Sequence, residues 1–285
     1  MSFPFTFRGI ANWAARSKTG VFVYTLAVGF AVASVIGWFI WIHWLPVWES
    51  ALIKLPPGTF IKDQRLVTLS PTSASLAENR FISISIRTDL QSEISTTSDL
   101  NLILDIDNIR IGSLFGFISM PYPSGYIIEL DPDKVQPWWL SRSFFFYLGG
   151  FVLIWFAFSI LWRALSIIYF VPIFIAAYLW GRRSSFEVIY RLILLSLMPP
   201  ALFMTVALAL YGAGQLNLQE LLVANLIHIP MGWGIMLLSS RKLEITKPAS
   251  NKSAEPNKRG KNPFGSSEES SGQQRSENPF NQTET

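Results

Sequence analysis

The chain has 285 residues, a formal net charge of +4 and 15% charged residues, whereas a soluble globular domain carries roughly 25%. It contains no cysteine, which excludes disulfides, a thiolate nucleophile and a cysteine-ligated metal. Outside residues 46–142 the basic side chains flank apolar runs or lie in a polar tail. The positive charge therefore indicates membrane topology, and we expect no binding of nucleic acid.

Residues 1–20 form a basic N-terminus without acidic side chains, and the apolar run at 21–45 is long enough to cross a bilayer as a helix. No small-residue cleavage site follows this run, so we predict an uncleaved signal anchor with a cytoplasmic N-terminus. An amphipathic pattern at residues 5–15 predicts a short interfacial helix before it.

Small residues recur at every fourth position of this first span, at Gly29, Ala33 and Gly37. They share one helical face and predict a packing face for a neighbouring helix, although small residues are also common in spans generally. Tryptophans near the end of this span and before the next one predict an aromatic belt at the outer interface, with a sugar-binding cluster as the alternative. They are Trp38, Trp41, Trp44, Trp48, Trp138 and Trp139.

Residues 46–142 are polar and numerous enough for a small exported domain. Isoleucine alternates with polar residues over 82–87, which predicts a half-buried strand. Similar patterns predict strands at 60–62, 66–69, 100–104, 109–111 and 126–130, and a turn-rich segment or short helix at 70–79. Asp105, Asp107 and Asn108 could suggest calcium, but the remaining ligands of such a loop are missing, so a hairpin turn is predicted there.

The apolar segment at 143–180 holds a single charge, Arg163. It is longer than one crossing requires, so it is either one tilted or broken span or a hairpin of two. Pro172 is the predicted break. Two crossings would export the basic turn at 181–183, against the positive-inside bias, so we predict four spans with both termini cytoplasmic.

Two further spans are predicted at 187–211, interrupted by Pro199 and Pro200, and at 219–239, interrupted by Pro230. Ser184 and Glu187 have capping-box spacing at the start of the first of these.

The composition of residues 240–285 predicts a disordered cytoplasmic tail. The tail contains the tripeptide Asn-Pro-Phe twice, at Asn262, Pro263 and Phe264 and at Asn278, Pro279 and Phe280. This tripeptide resembles the ligand of EH-domain endocytic adaptors, and chance recurrence is the alternative.

No nucleotide-binding, metalloprotease or kinase signature is present, so we expect neither an enzyme nor a cofactor. Polar side chains at membrane depth are the candidate functional residues: Arg163, Arg191, Asn225 and His228. For His228 the predicted role is structural, as a partner for the backbone carbonyl that Pro230 frees, and a proton-relay or substrate role is the alternative.

The order of segments is itself distinctive. A short basic N-terminus and one span precede a polar region that begins Leu55-Pro56-Pro57 and has a strand at Phe81 to Asp89; the later spans contain Tyr190 and Leu197-Met198-Pro199-Pro200. This arrangement resembles an uncharacterised bacterial membrane family, domain-of-unknown-function family 1189, and the later spans are distantly similar to the Yip membrane-trafficking proteins. The resemblance implies an inner-membrane protein without assigned activity or catalytic residues.

The sequence thus predicts an α-helical integral membrane protein with a small exported β-rich domain between its first and second spans. The leading functional hypothesis is a non-enzymatic envelope sensor or scaffold in the bacterial inner membrane. Its partners would be the lipid bilayer and either a membrane protein or further copies of the chain. The alternative is a small transporter, or a transporter accessory subunit, with a site at the proline-broken helices.

Overall fold

A computed structural model of the protein describes residues 6–69, 73–88, 97–182 and 184–244. Within these residues, four helices are long and apolar enough to cross a membrane: Lys18–Ile53, Ser143–Ile168, Phe186–Gly212 and Leu218–Ser240. The prediction of membrane-length helices combined with a β-sheet region is confirmed.

The helices are α1 (Phe7–Arg16), α2 (Lys18–Phe39), α3 (Leu45–Ile53), α4 (Pro132–Leu140), α5 (Ser143–Ile168), α6 (Phe170–Leu179), α7 (Phe186–Ser196), α8 (Met198–Gly212) and α9 (Leu218–Ser240). The strands are β1 (Phe60–Lys62), β2 (Arg65–Val67), β3 (Ala74–Glu78), β4 (Ile82–Arg87), β5 (Leu100–Asp105), β6 (Asn108–Ser113), β7 (Gly116–Pro121) and β8 (Ile128–Glu129).

The first span is longer than the predicted 21–45. A π-helical turn, Ile40–Trp44, joins α2 to α3, so the helix continues to Ile53. Pro46 is the second residue of α3 and lies just after this turn. The wider π-helical turn lets the backbone pass this proline without a break.

The β-rich domain contains two sheets. The smaller has the strand order β2-β1-β8 and is antiparallel. The larger has the order β3-β4-β5-β6-β7, in which β4 and β5 are parallel and the other neighbours antiparallel. The sequence pattern correctly located β1, β4, β5 and β6. Residues 74–78 form a strand instead of the predicted turn-rich segment or short helix. β7 and α4 were not predicted.

The prediction that β4 is half-buried is wrong. Ser83 and Ser85 are as completely buried as Ile84 between them. β4 lies inside the five-stranded sheet, between β3 and β5, and both of its faces are covered. The buried Ser83 hydroxyl has a hydrogen-bond partner, because it donates to Oδ1 of Asn101 on β5 at 2.7 Å.

The spans share a core to which α1 also belongs. Ile10, Ala11 and Ala14 of α1 are fully buried in the same cluster as Ile189 and Leu192 of α7. The apolar face of the predicted interfacial helix therefore packs against other helices of the chain. An amphipathic pattern alone does not show whether the apolar face contacts protein or lipid.

The long apolar segment breaks at Tyr169, between α5 and α6, three residues before Pro172. Pro172 has no amide hydrogen to donate to the carbonyl of Ile168, where α5 ends. Leu197 separates α7 from α8 in a similar way, and Pro199 and Pro200 lie in the first turn of α8.

Two sequence predictions about these helices are wrong. Pro230 does not interrupt the last span, because α9 continues through it to Ser240 and a proline removes only one intrahelical hydrogen bond. The N-cap residue of α7 is Ser185, which makes no side-chain capping bond, so the capping box of Ser184 and Glu187 does not form. The Glu187 carboxylate instead lies 2.6 Å from the ammonium group of Lys18.

Candidate functional site

An apolar cavity of about 690 Å³ lies inside the β-rich domain. One wall is a face of the five-stranded sheet, where the strand period places Ile84, Leu102, Leu104 and Ile109 on the same side. Cross-strand pairing aligns Ile84 with Leu102 and Leu104 with Ile109, so the wall is continuous over three strands.

The opposite wall is helical. The cavity is lined by one face of α3, with Trp48, Ala51 and Leu52, and by Leu55 just after the helix. α4 adds Val135, Trp138 and Trp139, the smaller sheet adds Ile61 and Ile128, and Leu130 follows directly after β8. The cavity therefore lies where the continuation of the first span, both sheets and α4 meet.

Three of the six tryptophans of the predicted belt line this cavity: Trp48, Trp138 and Trp139. The rings of Trp48 and Trp139 are 6.0 Å apart, and Trp139 stacks on Phe146 at 5.9 Å. Phe146 belongs to the first turn of α5, a candidate span. The cavity is thus adjacent to the end of the membrane-length helices, where aromatic side chains are favoured.

Few polar groups reach the cavity. The Lys134 ammonium group lies 2.6 Å from Oε2 of Glu129, and both side chains are more than half exposed. Hydrogen bonding to Glu129, together with its charge, raises the pKa of Lys134. This pair gives the apolar cavity one charged edge. A mainly apolar lining with a few polar groups is the usual composition of a site for a largely apolar ligand.

Polar contacts fix the β-rich domain to the spans. The Arg80 guanidinium donates to the carbonyl of Leu216 at 2.7 Å and to that of Gly214 at 3.3 Å, in the turn between α8 and α9. The Asn79 side chain donates to the carbonyl of His43 in the π-helical turn at 2.6 Å. Phe81 packs against Phe39 at 5.1 Å between ring centres. Sequence reasoning did not single out Asn79 or Arg80, because their partners are distant in the chain.

A second cavity, of about 350 Å³, lies among the spans and brings together two of the four predicted intramembrane polar residues. Asn225 and His228 line it with Thr205. Nδ1 of His228 lies 2.6 Å from the carbonyl oxygen of Asn225. The carbonyl that Pro230 frees is that of Leu226, one residue later, so the predicted partner of His228 was wrong.

The two arginines lie elsewhere. Arg163 donates to the carbonyl of Ser159 at 2.7 Å, and its guanidinium lies 5.3 Å from the centre of the Phe22 ring. Arg191 donates to the carbonyl of Glu187 at 3.0 Å. Both arginines are therefore occupied by protein contacts on their own or a neighbouring helix.

The face formed by Gly29, Ala33 and Gly37 is buried, and its two glycines lie against α5. A Cβ atom at Gly29 would lie 3.1 Å from Oγ of Ser159, and one at Gly37 would lie 3.2 Å from the hydroxyl of Tyr147. Ala33 has no exposed surface. This face is therefore covered within the chain and is not available to a separate partner.

The acidic turn beside β5 is held by arginines. Oδ1 of Asp105 lies 2.7 Å from Arg87, and Oδ2 lies 3.3 Å from Arg110. Among the residues that the structure describes, no group of three or more histidine, aspartate or glutamate side chains is arranged to hold a metal ion. Both Asn-Pro-Phe motifs, with the rest of the tail from residue 245, lie outside the described residues.

No family model, curated protein or solved structure matches the chain. The resemblance to domain-of-unknown-function family 1189 therefore stays a prediction.

Proposed function

We propose that the protein is a non-enzymatic membrane sensor whose exported β-rich domain binds an elongated apolar ligand such as a lipid acyl chain. The observation that carries this proposal is the apolar cavity of about 690 Å³ between the sheets, α3 and α4. Small-molecule sites occupy roughly 300–1,000 Å³ and are lined mainly by apolar and aromatic side chains. Each methylene group buried there would contribute about 0.8 kcal/mol.

The position of the cavity supports an amphiphilic ligand. The aromatic lining of Trp48, Trp138 and Trp139 adjoins the first turn of α5. Because this is the end of a candidate span, a chain leaving the outer leaflet would reach the cavity over a short path. The edge formed by Lys134 and Glu129 would accommodate a polar head.

Contacts between helix ends support four crossings with the β-rich domain outside and both termini in the cytoplasm. Arg80 holds the turn before α9 to the β-rich domain, so α9 begins on the domain side. At the other end of α9, the Arg241 guanidinium lies 4.5 Å from the ring of Trp180, just after α6. The segment at 143–180 begins beside the domain and ends on the opposite side, as a single net crossing requires.

The basic side chains support the same orientation. Lys18, Arg182 and Arg241 lie at the helix ends away from the β-rich domain, whereas residues 212–220 carry no lysine or arginine. The bacterial inner membrane remains our proposal for the location, because the order of segments in the sequence resembles a bacterial membrane family. Reporter fusions after Arg183 and at Thr285 test the orientation, and an exported signal at either position would contradict it.

Ligand binding can be tested with cis-parinaric acid, a fluorescent acyl chain, and the purified full-length protein. Ile109→Trp places a larger side chain in the cavity and should weaken binding at least about tenfold, as loss of a few buried methylene groups would. Ile118→Trp is the matched control, because Ile118 is 67% exposed on the adjacent strand and does not line the cavity. Absence of binding to the wild type, or equal binding by both variants, would refute the proposal.

A sensor also needs a partner that receives the signal, and we expect a membrane protein or a second copy of the chain. Crosslinking in cells followed by purification through an N-terminal tag would identify it. A stoichiometric partner supports the sensor, and a protein recovered only as a monomer opposes it.

The cavity of about 350 Å³ among the spans favours a second candidate function, a small transporter or transporter accessory subunit. Asn225 and His228 would then contact the substrate. In liposomes, His228→Ala should abolish flux if the chain is a transporter, and should have little effect on ligand binding in the β-rich domain if it is a sensor.

A further inference from the structure

The hairpin of β6 and β7 ends in exposed apolar side chains. Leu114 and Phe115 form its tip and are 53% and 76% exposed. β7 is the edge strand of the sheet, and its Phe117 is also mostly exposed. Residues 112–121 carry no charged side chain. Exposure of such an apolar tip to water is unfavourable, and exposed apolar patches of this kind mark sites of contact with a membrane or another protein.

Strand register places this tip at the span end of the sheet. Ile82, Leu100, Ser113 and Gly116 are successive partners across β4, β5, β6 and β7. Next to this row, Phe81 packs against Phe39 of α2 and Tyr211 of α8, at 5.1 and 4.9 Å between ring centres. Leu114 and Phe115 extend beyond the row on the same side, by about 3.3 Å per residue.

The neighbouring helix supports the same position. Ser113 and Leu114 line a surface depression together with Asn217 and Leu218, where α9 begins. α9 is a candidate span, and Val223 and Leu226 near its beginning are exposed. The apolar tip is thus next to the end of a candidate span that has exposed apolar side chains.

We propose that the tip of the β6–β7 hairpin, Leu114 and Phe115, inserts into the headgroup region of the bilayer beside α9. The tip would give the β-rich domain a contact with lipid that is independent of the spans. Phenylalanine and leucine are the side chains that peripheral membrane contacts use on their buried face. The inference rests on the candidate spans and not on a ligand in the β-rich domain, so it holds or fails independently of the proposed function.

Site-directed fluorescence can test the insertion because the chain has no cysteine of its own. Phe115→Cys and, separately, Leu114→Cys would be labelled with an environment-sensitive nitrobenzoxadiazole dye in the full-length protein, reconstituted in phosphatidylcholine and phosphatidylglycerol vesicles. Asp107→Cys is the matched control, because Asp107 lies in the turn between β5 and β6 at the opposite end of the same sheet and is exposed.

Insertion predicts blue-shifted emission and quenching by lipids spin-labelled near the headgroup at positions 114 and 115, with little quenching by aqueous iodide. The label at 107 should show the reverse. Iodide quenching at 115 equal to that at 107 would overturn the proposal. Protection from both iodide and spin-labelled lipid would overturn it in favour of a contact between two copies of the chain. Use of both tip positions guards against misfolding of one variant.

Discussion

The hydroxyl of Tyr211 donates a hydrogen bond of 2.7 Å to Oδ2 of Asp99, across 112 residues of sequence. Tyr211 is near the end of α8 and Asp99 directly precedes β5, so the bond joins a candidate span to the five-stranded sheet. Arg80 binds the turn that follows α8. Together these contacts hold the β-rich domain on the spans.

Loss of the Arg80 guanidinium should loosen this connection. In Arg80→Ala, the carbonyls of Gly214 and Leu216 lose their donor, and amide hydrogen exchange at residues 212–218 should become several-fold faster, as expected for local opening. Hydrogen–deuterium exchange with mass spectrometry measures this. Arg65→Ala is the control, because Arg65 pairs with Asp107 at an exposed site; equal changes in both variants would contradict the assigned role of Arg80.

Asp105 should be important for stability. Its carboxylate is almost fully buried between Arg87 and Arg110. Asp105→Asn leaves the nearly buried Arg87 charge without its partner, and breaking such a pair costs about 3–5 kcal/mol. Asp107→Asn removes only an exposed ion pair and should cost less than about 1 kcal/mol. Thermal unfolding in detergent compares them, and similar Tm values for the two variants would contradict this prediction.

The contact between α2 and α5 should tolerate no larger residue at Gly29. A Cβ atom there already meets Ser159 and Trp155 at 3.1 and 3.2 Å, so Gly29→Leu must push the helices apart, and such overpacking costs about 1–3 kcal/mol. Gly149 of α5 has no atom within 4 Å of such a Cβ, so Gly149→Leu is a matched control with no expected loss. Aggregation temperature in detergent tests both, and an unchanged value for Gly29→Leu would argue against the packing.

The stability of the protein should decrease at alkaline pH because of Tyr122. Burial, followed by the negative charges of Asp105 and Asp107, raises the pKa of the Tyr122 hydroxyl, which donates to the carbonyl of Asp105 at 2.7 Å. Below the unfolded pKa of about 10 the neutral hydroxyl contributes its full stabilisation. Above about pH 10 the unfolded chain ionises first, so this contribution decreases as pH rises toward the folded pKa.

Tyr122→Phe should therefore lower stability by about 1 kcal/mol at neutral pH through the lost hydrogen bond. The difference from the wild type should become smaller as the pH rises above about 10, where the wild type loses the contribution of Tyr122. Tm measured over this pH range tests the sign, and a difference that grows with pH would show that the assignment to Tyr122 is wrong.

The sequence predicted those elements whose pattern is local. Long apolar runs located the spans, and the alternation of isoleucine and leucine located β4 and β5. β3 was missed because its register shifts between Ser75 and Ala77, which interrupts the alternation of buried residues. β7 was missed because it is exposed throughout and shows no division into apolar and polar faces.

The cavity of the β-rich domain could not be predicted, because it is a property of segments far apart in the chain. Ala51, Leu102 and Val135 look like ordinary core residues in sequence, and only the arrangement of α3, β5 and α4 leaves space between them. The polar residues at membrane depth were identifiable, but their partners were not. His228 bonds the carbonyl of Asn225, since the choice among adjacent carbonyls depends on rotamer and helix geometry.

The unbroken helix from Lys18 to Ile53 has a mechanical consequence. Its 36 residues extend about 54 Å, whereas the hydrocarbon core is about 30 Å thick. One end lines the apolar cavity through Ala51 and Leu52, and the other is tied to α7 by the pair of Lys18 and Glu187. A molecule that displaces α3 must tilt or twist this rod, because no loop intervenes to absorb the motion. A displacement of α3 would therefore be carried through the π-helical turn to the Lys18 end of the helix, which lies beside α7.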